Sequence, residues 1–254
     1  MNEDADFYVG YLPHSPTSLR RFVQRIVLAL GLLVILVAGL LALLQMPFAK
    51  SYFEFGKQRD FQGTLIAEPY PTLIVRRPGQ AGPNEAVSAY LLVAPGKHGA
   101  DTLIRSSTGK HVTLHGQLIY REGHTMIEIE PGSIRVAESL PATAMQTRDL
   151  GPLTLTGEIV DSKCYLGVMN PGSGKVHRDC ASRCLSGSIP PLFIEQKSGK
   201  QFLLVGREGK AIGYESIKAF IAEPLNLTGE VFQRGDVQLL EIEPREVLHA
   251  DNLE

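Results

Sequence analysis

Four side chains between positions 164 and 184 have the types and spacing for shared chemistry: Cys164, His177, Cys180 and Cys184, in the pattern Cys-x12-His-x2-Cys-x3-Cys. They include all 3 cysteines of the chain. Three thiolates and an imidazole form a soft donor set that suits tetrahedral zinc and also Cu(I). An iron–sulfur cluster would need an unusual Cys3His ligand set. His177, Cys180 and Cys184 are three and four residues apart, so a helix would place them as neighbours. The turn at Pro171-Gly-Ser-Gly174 could fold the chain back and bring Cys164 to them. Met169 adds a thioether nearby. There is no C-x-x-C-H, which disfavours covalent c-type haem.

Two other readings stand beside metal ligation. In an oxidising compartment cysteines pair, and Cys164 with Cys180 or Cys184 would staple the segment and leave one thiol over. That thiol could be inert, or it could be reactive with its pKa lowered by His177 or Arg178. Lys175 and Arg178, beside the glycines of the turn, are candidates for holding an anionic cofactor. Asp161 and Asp179 could orient His177. Pro190 and Pro191 fix the chain as it leaves the segment. The histidines elsewhere (His98, His111, His115, His124) are spread over strands and turns and read as surface positions. Lys97, in the turn after Tyr90–Val93, is a conceivable contributor. Neither a C-x-x-C nor a G-x-S-x-G elbow supports an enzyme.

The elements that must position this segment begin with an anchor. Ile26 to Leu44 carries no charge, and the uncharged run continues to Ala49. About 20 apolar residues suffice for a helix to cross a bilayer, so residues 26–49 are expected to span the membrane and contact lipid. Arg20, Arg21 and Arg25 precede the run, which places the tail 1–25 in the cytoplasm and the rest outside. The expectation is a single-pass membrane protein; in a bacterium this means the inner membrane, with the C-terminal part periplasmic or extracellular. A cleaved signal peptide would have a shorter apolar region and a better cleavage site than Gln45–Ala49. Residues 50–60 read as a juxtamembrane linker, with Tyr52, Phe53 and Phe55 either in the interface or packed against the first domain.

Beyond it, short apolar runs alternate with Gly, Pro and Asn. Gly63–Ala67, Thr72–Val75, Val87–Val93, Val112–Leu118 and Thr125–Glu130 read as strands, with a turn at Pro78–Asn84 and a short helix or irregular crossing at Thr102–Ser107. Such runs argue for an antiparallel barrel or sandwich. The pattern then repeats. Gly116, Arg121 and Glu128–Pro131 match Gly229, Arg234 and Glu241–Pro244 at an offset of 113. Tyr90–Val93 matches Phe202–Val205, and Gly63 matches Gly157 at an offset of 94. The chain is therefore mainly β: one transmembrane helix, then two tandem small antiparallel β-barrel domains of OB-like type. They span 61–139 and 152–248, joined by a linker at 140–151 and followed by a tail at 249–254. The second copy carries about 18 extra residues, the cysteine segment, and a helix is expected at Tyr214–Ala222. The Glu-Ile-Glu-Pro repeats read as strand ends with carboxylates outward. A net charge of -2 gives no sign of nucleic-acid binding.

Val160-Asp-Ser-Lys-Cys-Tyr-Leu-Gly-Val-Met169, His177-Arg-Asp-Cys-Ala-Ser-Arg-Cys184 and the following Ile189-Pro-Pro191 resemble the motif of a family of membrane-anchored bacterial proteins. Ser188 stands where that motif has Gly. The resemblance implies a membrane segment and a soluble extracytoplasmic part. It also implies, through association with redox enzymes, an accessory role; it brings no activity or cofactor. The combined expectation is an extracytoplasmic accessory protein that uses zinc or copper, or thiol redox chemistry, in contact with a membrane or periplasmic redox partner. A thiol enzyme and a disulfide-stapled structural or ligand-binding pair of domains are the alternatives.

Overall fold

The computed structural model describes residues 16–45, 51–77, 87–122, 124–137, 145–243 and 248–249. The expected turn at Pro78–Asn84, most of the N-terminal tail and the end of the apolar run lie outside these. So do most of the short C-terminal tail and the first part of the expected inter-domain linker.

Helix α1 runs Thr17–Gln45. At 1.5 Å per residue its apolar part is about 30 Å long, the thickness of a bilayer core, and its large side chains are exposed along the whole length. It is long and apolar enough to cross a membrane. It forms one compact unit, and residues 50–254 form a second.

The second unit holds two closed five-stranded barrels. Strand β1 (Ser51–Phe53) pairs with residues 119–121, so the segment expected as a linker starts as an outer strand. The first barrel is made of β2 (Arg59–Ile66), β3 (Thr72–Arg76), β4 (Val87–Ala94), β6 (His111–Arg121) and β7 (His124–Ile129). A two-residue strand β5 (His98–Gly99) and helix α2 (Asp101–Ile104) lie between β4 and β6, and β8 (Arg135–Val136) borders β6. Closure runs β2–β3–β4–β7–β6–β2, with β4 and β7 parallel and the other pairs antiparallel. Leu65, Leu73, Leu92, Leu114 and Ile127 fill it.

The second barrel repeats this order with β9 (Thr147–Asp161), β10 (Pro191–Glu195), β11 (Gln201–Val205), β12 (Leu225–Arg234) and β13 (Val237–Glu241). Its parallel pair is β11 with β13. Strand β9 pairs with β12 along its first part and with β10 from Gly157 onward. Thr147–Gly151, expected in the linker, are thus the first residues of a long strand. Helix α3 (Arg178–Ser186) lies between β9 and β10. Helix α4 (Tyr214–Ile217), continued by a 3-10 turn to Phe220, follows β11 and buries Ile217, with Ile221 buried just beyond. Strand β14 (Leu248–His249) adds to β12.

The repeated glycines have one physical cause. A Cβ on Gly63 or Gly157 would come within 2.4 or 2.0 Å of a carbonyl oxygen on the neighbouring strand, and on Gly116 or Gly229 within 2.6 or 2.2 Å. Where the barrels differ is the first connection. It takes residues 67–71 between β2 and β3, but 162–190 between β9 and β10. The net excess expected from the sequence is smaller because the next connection is shorter in the second copy.

The barrels share an apolar layer. Leu91, Val93 and Met126 of the first pack with Val160, Leu192 and Leu203 of the second, and Cys164, Tyr165 and Cys184 belong to the same cluster. Polar contacts frame it. The Tyr70 hydroxyl donates to Leu204 O at 2.8 Å and accepts from Ile212 N at 3.0 Å. Asp236 pairs with Arg77 at 2.6 Å and accepts from Ala89 N at 2.8 Å.

Candidate functional site

The connection 162–190 leaves and rejoins the barrel at adjacent points, since Asp161 pairs with Pro191. At its start Asp161, fully buried, accepts the Cys164 N–H at 2.8 Å. That bond fixes the first residue of a wide helical turn, Cys164–Val168. The chain returns through Gly174, whose N–H is taken by Glu158 at 2.8 Å. Helix α3 then places Cys180 and Cys184 four residues apart on one face. It closes where Gly187 N–H meets the carbonyls of Arg183 and Cys184.

These elements bring the three sulfurs together. Cys164 Sγ lies 3.8 Å from Cys180 Sγ and 3.9 Å from Cys184 Sγ, and all three are free thiols. Cys164 and Cys184 are buried and Cys180 is half-buried. His177 is buried beside them, but its Nε2 is 2.9 Å from Asp161 Oδ2. Asp161 therefore orients His177, as its place in the sequence suggested. The potential ligand atoms form two overlapping groups, Cys164–Cys180–Cys184 and Asp161–Cys164–His177, each mutually within 4.8 Å. Either group could hold a metal. His177 is not drawn into a single set with all three sulfurs.

A residue from the other barrel completes the site. Lys97 Nζ is 2.8 Å from Cys180 Sγ and 3.8 Å from Cys184 Sγ. Its loop has little freedom. A Cβ at Gly187 would stand 1.9 Å from Lys97 O, so only glycine lets the two backbones touch. Gly99 N–H donates to Gly187 O at 2.7 Å. From beneath, Lys163 Nζ donates to Ala94 O at 2.9 Å and Gly96 O at 2.6 Å, and pairs with Glu128 at 2.5 Å. Lys163 directly precedes Cys164, so one end of the cysteine connection holds the loop that carries Lys97.

Electrostatics follow this layout. The hydrogen bond from Cys164, opposed by burial, lowers the Cys184 thiol below its usual range, with help from the charge of Lys97. Cys164, as the donor in that bond, is pushed far up, with burial and the Asp161 carboxylate adding to the effect. The Lys97 ammonium is raised first by its bond to Cys180. Negative charge is thus favoured on Cys184 and disfavoured on Cys164.

The other expected residues lie apart. Lys175 and Arg178 both pair with Glu223, at 3.7 and 2.5 Å. Lys175 also lines a cleft of about 350 Å³ with Glu158, Gly174 and Pro224, where burial raises the Glu158 carboxyl. Met169 is exposed. His115 pairs with Asp60 at the surface. The Glu-Ile-Glu ends need a correction. Their isoleucines point inward, as expected, but Glu128 is bound to Lys163 and Glu241 accepts the N–H groups of Glu208 and Gly209. Ser188 has a left-handed φ of 69°, which accounts for glycine at that position of the motif. Since that conformation costs a residue with a Cβ about 1–2 kcal/mol and glycine loses part of the benefit in unfolded-state entropy, Ser188→Gly is expected to raise stability by about 0.5 kcal/mol. Urea denaturation followed by circular dichroism checks it.

The chain matches no known family model, no curated protein and no solved structure.

Proposed function

We propose that this protein is a membrane-anchored, extracytoplasmic accessory protein whose three cysteines bind one soft metal ion, zinc or copper, for a partner redox complex. The observation that carries the reading is the sulfur spacing. With zinc–thiolate bonds of about 2.3 Å, sulfurs at the tetrahedral angle lie about 3.8 Å apart, and the two edges at Cys164 are 3.8 and 3.9 Å. Cys164, Cys180 and Cys184 are the ligands. Asp161 and His177 support them from behind, the role that outer carboxylate–histidine pairs play at metal sites. Three thiolates, a divalent ion and the Lys97 ammonium sum to zero charge, which suits a largely buried centre and favours zinc over Cu(I). The closed strand order with one parallel pair supports an OB-like type for both barrels. The three arginines in the first turns of α1, Arg20, Arg21 and Arg25, support an N-terminus in the cytoplasm.

A second reading has its own observation. Cys180 is reachable, carries a cation, and has a buried thiol 3.8 Å away, the arrangement of an attacking and a resolving cysteine. One experiment separates the two. The full-length protein in mild detergent, purified with reductant, is assayed for metal and for thiols before and after chelation. About one metal ion per chain and three thiols exposed by the chelator are expected. No metal, with one thiol left after air oxidation, would overturn the metal reading in favour of a disulfide.

A further inference from the structure

We infer that Lys97 and Cys180 are a site of oxidative cross-linking, in which peroxide inserts one oxygen atom between Nζ and Sγ to give an N–O–S bridge that joins the two barrels. This does not rest on the metal reading, because it concerns the metal-free thiols.

The geometry is unusual for a simple contact. Lys97 Nζ is 2.8 Å from Cys180 Sγ, shorter than the usual N–H···O separation of about 2.9–3.0 Å, although sulfur is the larger atom. A single oxygen placed between them fills that gap with little movement. A direct sulfur–nitrogen bond would require a much closer approach. The competing disulfide needs Cys164 and Cys180 to close from 3.8 Å to about 2.05 Å. Cys164 resists that movement, because Asp161 holds its N–H and the apolar layer packs its side chain. Lys97 cannot withdraw as a unit either, since its loop is pinned by Gly187 and by the two Lys163 hydrogen bonds to Ala94 O and Gly96 O. Access is one-sided: Lys97 is exposed and Cys180 half-buried, while Cys164 and Cys184 are enclosed.

The chemistry balances with peroxide as the oxidant. One peroxide oxidises the Cys180 thiol to a sulfenic acid and leaves as water. A second peroxide accepts the next two electrons as the sulfenic oxygen bonds to the Lys97 nitrogen. In total the Lys97 ammonium gives one proton to solvent, and the resulting amine, the Cys180 thiol and two hydrogen peroxides give the bridge and three waters. One N–O and one O–S bond form. One N–H bond of the amine and the S–H bond are lost. The bridge removes Cys180 from the sulfur triangle and covalently links the first barrel to α3.

The test uses the full-length protein in detergent, stripped with a chelator and treated with hydrogen peroxide. Intact mass should show the gain of one oxygen and the loss of two hydrogens. Digestion should yield one linked species containing Lys97 and Cys180, no longer cut by trypsin after Lys97, and released by dithiothreitol. Lys97→Arg keeps the positive charge and should abolish that species, as should Cys180→Ser. A product that has only lost two hydrogens, or has gained two oxygens on Cys180 with Lys97 still cleaved, overturns the inference. So does an unreacted chain. Metal binding is measured separately, so failure of one result leaves the other readable.

Discussion

Replacing Lys163 with methionine is expected to destabilise the two-barrel unit by about 3–5 kcal/mol, the cost of breaking a buried ion pair from one side. The Lys163 side chain is 3 % exposed and that of its partner Glu128 is 11 % exposed. Removing the ammonium strands the carboxylate and also leaves Ala94 O and Gly96 O without their donor. For a domain of this size the melting temperature should fall by about 6–20 °C. The chain has 0 tryptophans, so circular dichroism is the direct readout. The double substitution Lys163→Met with Glu128→Leu should recover much of the loss, because both charges leave together. If the single and double variants melt alike, the ion pair is not what holds this interface. A second readout is local: with the loop 94–99 released, Cys180 should react faster with an alkylating reagent.

Cys164→Ser is expected to abolish metal retention, whereas Asp161→Asn should leave metal bound but about 10–100-fold more weakly. The difference follows from position. Cys164 is the corner common to both measured sulfur edges, so its loss leaves only Cys180 and Cys184, four residues apart on one helix. Asp161 touches no sulfur through its carboxylate bonds. It holds the Cys164 N–H through one oxygen and the His177 ring through the other. Competition titration with a chromophoric chelator measures both affinities, and circular dichroism confirms that each variant is folded. If Asp161→Asn lost metal as completely as Cys164→Ser, the Asp161–Cys164–His177 group would be the binding site instead.

Much of this arrangement was legible along the chain. Alternating apolar residues marked the barrel strands, because a strand with one buried face has a period of two. The repeat marked the shared order, since glycines forced by a neighbouring carbonyl recur wherever the same two strands touch. The cysteines stood out by type. What escaped was set by contacts between distant positions. Lys97 could be named only as a conceivable contributor, with no partner, because it sits in an ordinary Pro-Gly-Lys turn 83 residues from Cys180. Lys163 was visible beside Cys164 in the motif, yet its partner Glu128 read as a surface strand end. His177 and the three cysteines share one segment, but the direction of the imidazole depends on Asp161, which belongs to the barrel. The repeat also gave no sign that the first barrel would border the cysteines, yet it contributes Lys97 and Tyr70, Leu91, Val93, Ile119 and Met126 of the apolar layer around Cys164.

The two barrels close the same strand pair with connections of very different length, residues 67–71 in one and 162–190 in the other. The entropy of closing a flexible loop grows only logarithmically, by about 0.6 kcal/mol for each doubling of length. By that measure the longer connection costs the barrel only about 1.5 kcal/mol more, far less than the free energy its buried residues return by packing. The barrel therefore tolerates a long connection, and the chemistry lies outside the strand order. Trimming that connection would remove the three thiols together with Lys163, Ala181 and Leu185, so a shortened form would have to neutralise Glu128 and cover the core they leave exposed.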